Sequence, residues 1–338
     1  MKRVITLAVV TASILSASSL TNDAKIAGLT AIPTSNTELM KLIDNPKNPI
    51  TATKVELGKK LYFDPRLSKS NIISCNTCHN LGEGGDDGVE ASTGHKWAAN
   101  PHHLNAPTVY NAVFFDVQFW DGRAKDVEEQ AQGPIQAHPE MAATKERVAG
   151  VVNSMPEYVT EFQNAYGKDV KITFEKVTDT IGLFERTLVT PSAYDDYLNG
   201  DDKAMTPAQK DGLKTFITVG CATCHTGVAL GGSMNAFNII GTYKHQNVGD
   251  FKGDENGMVK VPTLRNITQT APYFHNGKIW SLKEAIAEMA RIQLGAKLSD
   301  KEVASIEEFL KVLDGRKPAL SIPMLPASTD STPKPDMN

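Results

Sequence analysis

The sequence has 338 residues, 41% hydrophobic and 22% charged, with 35 basic against 39 acidic side chains and a formal net charge of −4. That length supports two units of ordinary domain size better than one. The mildly acidic balance and the lack of a basic tract argue against nucleic-acid binding and against electrostatic attachment to a membrane, and would suit a basic patch on a redox partner.

The chain opens with Lys2 and Arg3, an apolar run from Val4 to Leu15, and then Ser16-Ala17-Ser18-Ser19. A positive start, a short apolar stretch and small residues are the pattern of a secretory signal peptide. The run is too short to anchor in a bilayer, and no later segment approaches the roughly 20 apolar residues a membrane helix needs. Export with no membrane span is therefore the expectation. From Asn36 to Phe63 the apolar spacing is helical, interrupted by Pro46 and Pro49.

The pentapeptide Cys75-Asn76-Thr77-Cys78-His79 follows, and Cys221-Ala222-Thr223-Cys224-His225 repeats it, so that together they use all four cysteines. C-x-x-C-H is the attachment motif of c-type haem: two thiols on one turn form thioethers to the vinyl groups, and the adjacent imidazole lies under the iron. A redox dithiol or a four-thiolate zinc site would also use C-x-x-C pairs, but would leave the histidine after each pair without a purpose.

After the first motif, Gly82 to Gly88 is rich in glycine and acid, which suggests a stretch with little rigidity of its own. His95 ends that region and is placed to reach the far side of the first iron, with His102 and His103 as competitors on spacing. The aromatic run Phe114 to Trp120 is expected as core or as cover for a large cofactor. Helices are predicted over 124–132, 141–152, 162–166 and 174–188. Glu140 sits in a first turn, where it would also complement a helix dipole. Thr190-Pro191-Ser192 looks like a boundary, and Thr206-Pro207 opens the helix leading into the second motif. Helices over 282–293 and 300–313 close the fold, and the proline-rich tail is expected to be extended and poorly ordered at its end. For the second iron the candidate sixth ligands are Met234, Met258, Met289, His245 and His275. Sequence order favours Met289, since small c-type cytochromes take their methionine from near the last helices.

With Gly94-His95-Lys96-Trp97, Gln118-Phe119-Trp120-Asp121-Gly122-Arg123, Pro262-Thr263-Leu264-Arg265-Asn266, Tyr273-Phe274-His275 and Glu288-Met289-Ala290-Arg291 beside the two pentapeptides, the chain resembles the bacterial dihaem cytochrome c peroxidases. The resemblance covers essentially the whole mature chain. It implies a mainly α fold of two cytochrome c-like domains, each carrying one covalently bound c-type haem. The layout would be residues 1–20 as signal peptide, 21–190 as the N-terminal peroxidatic domain, 191–313 as the C-terminal electron-transfer domain, and 314–338 as a tail crossing back to the first domain.

The resemblance also implies roles. Cys75 and Cys78 would hold the low-potential haem, with His79 proximal and His95 a displaceable distal ligand. Glu140 and Gln130 match the polar residues of the peroxide pocket, with Phe119 beside them, and Trp120 matches the tryptophan between the haems. Cys221, Cys224, His225 and Met289 would hold the high-potential haem. Asn105, Thr270 and Pro272 match the protein ligands of a calcium ion between the domains. Hydrogen peroxide as substrate, a small cytochrome c or cupredoxin as electron donor, a periplasmic location and a homodimer follow from the same resemblance. Related dihaem oxygenases carry a tyrosine in place of the methionine, which Met289 disfavours. A dihaem electron carrier without turnover is the alternative from another class.

Overall fold

The structure is a computed structural model that describes residues 20–338. The export signal expected over residues 1–20 lies outside them except for its last residue. The architecture is mainly helical, with one two-stranded antiparallel sheet, Met234–Ala236 paired with Met258–Lys260. No described helix is long and apolar enough to cross a membrane.

The helices start where side chains satisfy the free amides of the first turn. Thr51, Asp126, Thr144 and Thr173 cap helices Ala52–Phe63, Val127–Gln136, Lys145–Asn153 and Phe174–Glu185. Thr206 and Gln209 form a reciprocal box at Pro207–Val219, as do Ser299 and Glu302 at Asp300–Lys311. The elements expected at 124–132, 141–152 and 162–166 are thus shifted or lengthened: caps at Asp126 and Thr144, and Pro156 in a first turn, decide the boundaries.

Two cores form around glycine-mediated crossings. Helix Ala52–Phe63 lies so close to Phe174–Glu185 that a Cβ on Gly58 would stand 2.3 Å from the Thr180 carbonyl oxygen. Tyr62, Tyr158, Phe162 and Phe184 fill the space around that crossing. In the second half, a Cβ on Gly212 of Pro207–Val219 would meet the Ser305 carbonyl of Asp300–Lys311 at 2.2 Å. Leu213, Phe216, Tyr194 and Phe309 complete that core.

Each end of the described chain packs on the opposite half. Residues 20–29 place Leu20, Ala24 and Leu29 in the second core. The tail returns to the first: Arg66 donates to the Pro326 carbonyl at 2.7 Å, Thr329 to the Ser154 carbonyl at 2.9 Å, and Arg147 to the Lys334 carbonyl at 3.0 Å. The tail is therefore docked through its Pro326 and Lys334 carbonyls and its Thr329 hydroxyl, where composition alone suggested a poorly ordered end.

The Gly82–Gly88 region also differs from expectation. Its glycines admit close packing: a Cβ on Gly84 would lie 2.4 Å from the Gln269 carbonyl, and Thr108 donates to the Gly84 carbonyl at 2.7 Å. Asp86 in the same segment is buried.

Candidate haem sites

The first motif forms a single helical turn, Cys75–Cys78, capped by a box between Ser74 and Thr77. His79 follows with Nδ1 2.9 Å from the Pro107 carbonyl, and the Tyr62 hydroxyl donates to the His79 carbonyl at 2.6 Å. Fixing Nδ1 on a carbonyl makes it the protonated nitrogen and presents Nε2 as the free donor to a metal. The second motif repeats the device: His225 is buried, with Nδ1 3.1 Å from the Leu230 carbonyl. Burial lowers the pKa of both imidazoles, that of His225 to about 4, and so favours the neutral form that binds metal.

The thiols do not behave as a redox pair. Burial pushes Cys78 up to about 12 and Cys221 up to about 11, opposite to the depressed values on which dithiol exchange depends. The four cysteines form no disulfide, and no group of three or more His, Cys, Asp or Glu side chains suited to a metal occurs among the described residues.

His95 and Glu140 meet although 45 positions separate them. The His95 amide donates to the Glu140 carbonyl at 2.6 Å, and a Cβ on Gly94 would stand 1.9 Å from the Pro139 carbonyl, so only glycine fits there. His95 is 4% exposed, yet neither ring nitrogen has a partner at good hydrogen-bond geometry, the Asn338 backbone being the polar group that approaches it. A buried imidazole so placed is costly unless a ligand uses one of its nitrogens. Lys96 and Trp97, next in the chain, both take left-handed backbone angles, φ 64° and 55°. Non-glycine residues hold that conformation at a cost, so the conformational reserve beside His95 lies in these two residues and not in the glycines upstream. His102 is engaged elsewhere, 2.8 Å from Asp250, and His103 lies 3.7 Å from Glu90. Burial raises the Glu140 carboxyl above its usual range, opposed by Arg123 and His102.

Phe119 stands beneath the Arg123 guanidinium, 3.5 Å from its ring centre, and against Gly133 of helix Val127–Gln136, where an added Cβ would lie 2.8 Å from the ring. Gln130 sits one turn earlier on that helix and makes no side-chain hydrogen bond to His95 or Glu140. Trp120 donates its indole N–H to the Asn105 carbonyl at 2.9 Å. Since Pro107, two residues on, accepts from His79, this short segment links the first motif to Trp120.

A largely apolar cavity opens on the other side of Trp120. Cys221, Cys224, His225, Met289 and Trp120 line it, with Phe216 and Leu310 among its apolar walls. Met234 and Met258 are held in the small sheet and His245 packs edge-to-face with Tyr243; none of the three lines the cavity. His275 does, within an aromatic surround of Trp120, Phe237 and Tyr243. Met289 ends helix Leu282–Met289, and the chain then runs through a π-helical turn, Ala290–Leu294, where an unbroken helix to 293 was expected. Such turns often mark functional positions, but no composition signal announces them.

Asn105, Thr270 and Pro272, the residues matched to a calcium site, all line this cavity. Asn105 Nδ2 lies 3.1 Å from the Pro272 carbonyl. Oxygen donors of this kind suit a hard cation.

Comparison with known proteins decides the lineage. Residues 52–203 match the family described as di-haem cytochrome c peroxidase. The chain is 46% identical over 301 residues to cytochrome c551 peroxidase of Pseudomonas aeruginosa, covering 85% of this chain and 86% of that protein. The chain belongs to the di-haem cytochrome c peroxidase family. A second cytochrome c551 peroxidase, from Nitrosomonas europaea, is 46% identical, covering 85% of this chain and 87% of the relative. Among solved structures, a MauG-like protein associated with microbial copper homeostasis superposes with a TM-score of 0.68 at 26% identity, covering 80% of this chain and 92% of that one.

This di-haem peroxidase is thus an enzyme of cytochrome-c peroxidase type, for which the family implies two c-type haems, hydrogen peroxide and a cytochrome donor. The residues present fit those groups: neutral histidines with one nitrogen fixed and one free, thiols grouped in pairs, and an apolar cavity lined by a histidine and a methionine.

Proposed function

We propose that the protein is an exported, periplasmic peroxidase that reduces hydrogen peroxide at the N-terminal haem with electrons entering at the C-terminal one. The donor would be a small cytochrome c or cupredoxin. The net reaction consumes one peroxide, two protons and two electrons and yields two waters. Bound at both motifs, haem supplies the iron that accepts and delivers those electrons.

The reading rests above all on His95, buried with neither ring nitrogen well hydrogen-bonded and tied to Glu140 by a backbone hydrogen bond. In this assignment His79 and His95 would be the protein ligands of the first haem iron, and His95 would be the one free to leave, using the conformational reserve of Lys96 and Trp97. Glu140 then takes a proton from the near oxygen of peroxide and returns it to the far one, with Gln130 donating a hydrogen bond and Phe119 closing the pocket against water. His225 and Met289 would hold the second haem, to which a His/Met pair would give a higher potential than bis-histidine ligation, and Trp120, lining the same cavity, would lie on the route between the two sites. Asn105, Thr270 and Pro272 would hold calcium between the haems, coupling the reduction of one to the opening of the other. A homodimer is proposed on family resemblance.

The test is a redox titration of the calcium-loaded holoprotein, followed by absorption and paramagnetic resonance with peroxide added at each stage. A high-spin population at the first haem and turnover in the half-reduced state are expected. Two permanently low-spin haems and no turnover with any small donor would sink the assignment.

A further inference from the structure

Lys260 has no place in the chemistry above, and the polypeptide gives its charge no partner. It ends the strand Met258–Lys260, where its amide donates to the Trp120 carbonyl at 2.8 Å. The side chain is 3% exposed, lines the cavity that holds His225 and Met289, and places Nζ 4.7 Å from the ring centre of Phe115. The acidic group in its field, Asp121, is taken: Arg123 Nη1 binds both its oxygens, at 2.8 and 2.9 Å. Among the described residues no carboxylate pairs with Lys260.

A buried ammonium without a counter-ion is unfavourable, and the face of one ring offsets only part of that cost. Burial accordingly lowers its pKa to about 7 while the cavity holds only protein. The missing anion has to come from whatever fills the cavity. A c-type haem brings two carboxylates on its propionate arms, flexible enough to meet a fixed cation.

We propose that Lys260 is the buried counter-ion of a propionate of the C-terminal haem, and that its positive charge raises the reduction potential of that haem. The proposal rests on assigning the cavity to that haem. A fixed cation beside the macrocycle favours the state with one electron more, whatever the axial ligands contribute. Lys260 is then a positioning and electrostatic residue, and its backbone is hydrogen-bonded to that of Trp120.

Lys260→Met keeps the stem and removes the charge; Lys260→Arg keeps the charge. Spectropotentiometry of each holoprotein reads both haems separately, without peroxide. In the methionine variant the equilibrium constant for reducing the C-terminal haem is expected to fall about tenfold or more, about 59 mV for one electron, with the methionine-ligation spectrum intact. The arginine variant is expected to stay within about threefold of the wild type. An unmoved midpoint in the methionine variant, or equal losses in both variants, would overturn the proposal. Loss of haem in the methionine variant alone would support a required carboxylate partner, whereas loss in both would make Lys260 a packing residue and overturn it. A wild-type protein without any methionine-ligated haem would instead refute the cavity assignment.

Discussion

At the residue scale two carboxyls near the first motif, Glu140 and Glu185, are set apart by what surrounds them. Glu140 is half-buried within the field of Arg123 and His102, and burial holds its pKa above the usual range. If it is the proton carrier, Glu140→Gln lowers peroxide turnover by roughly 10²- to 10⁴-fold. The acid limb of the rate profile, displaced upward from the ordinary carboxyl range, disappears with it, while the high-spin signal of the activated enzyme is retained. His95→Gly has the opposite signature: high-spin haem in the fully oxidised protein and turnover without prior reduction. Persistence of a wholly low-spin oxidised state in that variant would remove His95 as the gate. Glu185 is fully enclosed, beside Glu128 and near Cys75, and burial raises its pKa to about 8. Unfolded, it ionises near 4.5, so the folded protein alone holds this proton between about 4.5 and 8, and stability falls as pH rises through that window. Glu185→Gln should stabilise the fold at pH 8 by on the order of a few kcal/mol, read as a higher urea midpoint, and leave the midpoint unchanged at pH 4. Equal midpoints at pH 8 would contradict the shift.

At the scale of elements, the tail and the His95 loop share a backbone neighbour. Lys69 donates its amide to the Met141 carbonyl at 2.8 Å and accepts from the Asp336 amide at 2.9 Å, while the Glu140 carbonyl accepts from His95. Thr332 is buried against Ser154, and its hydroxyl lies 2.9 Å from the Ser154 hydroxyl. Removing residues 329–338 should therefore lower the urea midpoint of the first half and raise proteolytic cleavage near Lys69, with the second haem's spectrum unchanged. Unaltered cleavage would mean that the tail contacts contribute nothing to that region. The chain's proline and small polar content hid this docking, because several of the contacts are made by backbone groups, which every sequence has.

At the scale of the whole molecule, Arg265 and Asp195 tie together segments distant in sequence. Both are fully buried, and the guanidinium bonds both carboxylate oxygens, at 2.9 and 2.7 Å. Arg265 also donates to the Val228 carbonyl at 2.6 Å, and the Ile32 amide donates to Asp195 at 2.7 Å. One ion pair thereby fastens residues 30–32, helix Ala193–Leu198 and the loop after the second motif. Asp195→Asn leaves an uncompensated buried guanidinium and is expected to destabilise the second half by about 3–5 kcal/mol. Double replacement by apolar residues of similar volume should recover much of that loss. A single variant as stable as the wild type would show that solvent reaches this pair.

The sequence by itself determined the chemistry that depends on covalent spacing. Two C-x-x-C-H pentapeptides using every cysteine specify paired thioether attachment and one axial histidine each, whatever the fold. The helix start at Thr206-Pro207 was equally legible, because capping is local. Only the tertiary structure narrowed the candidates for the second iron: Met289 and His275 reach the cavity, while Met234 and Met258 lie in a small sheet and do not line it. It alone brought His95 to Glu140, moved the strained backbone to Lys96 and Trp97, and left Lys260 buried without a carboxylate. Those features depend on which residues lack partners once the chain has packed, and a linear sequence does not record unfilled interactions.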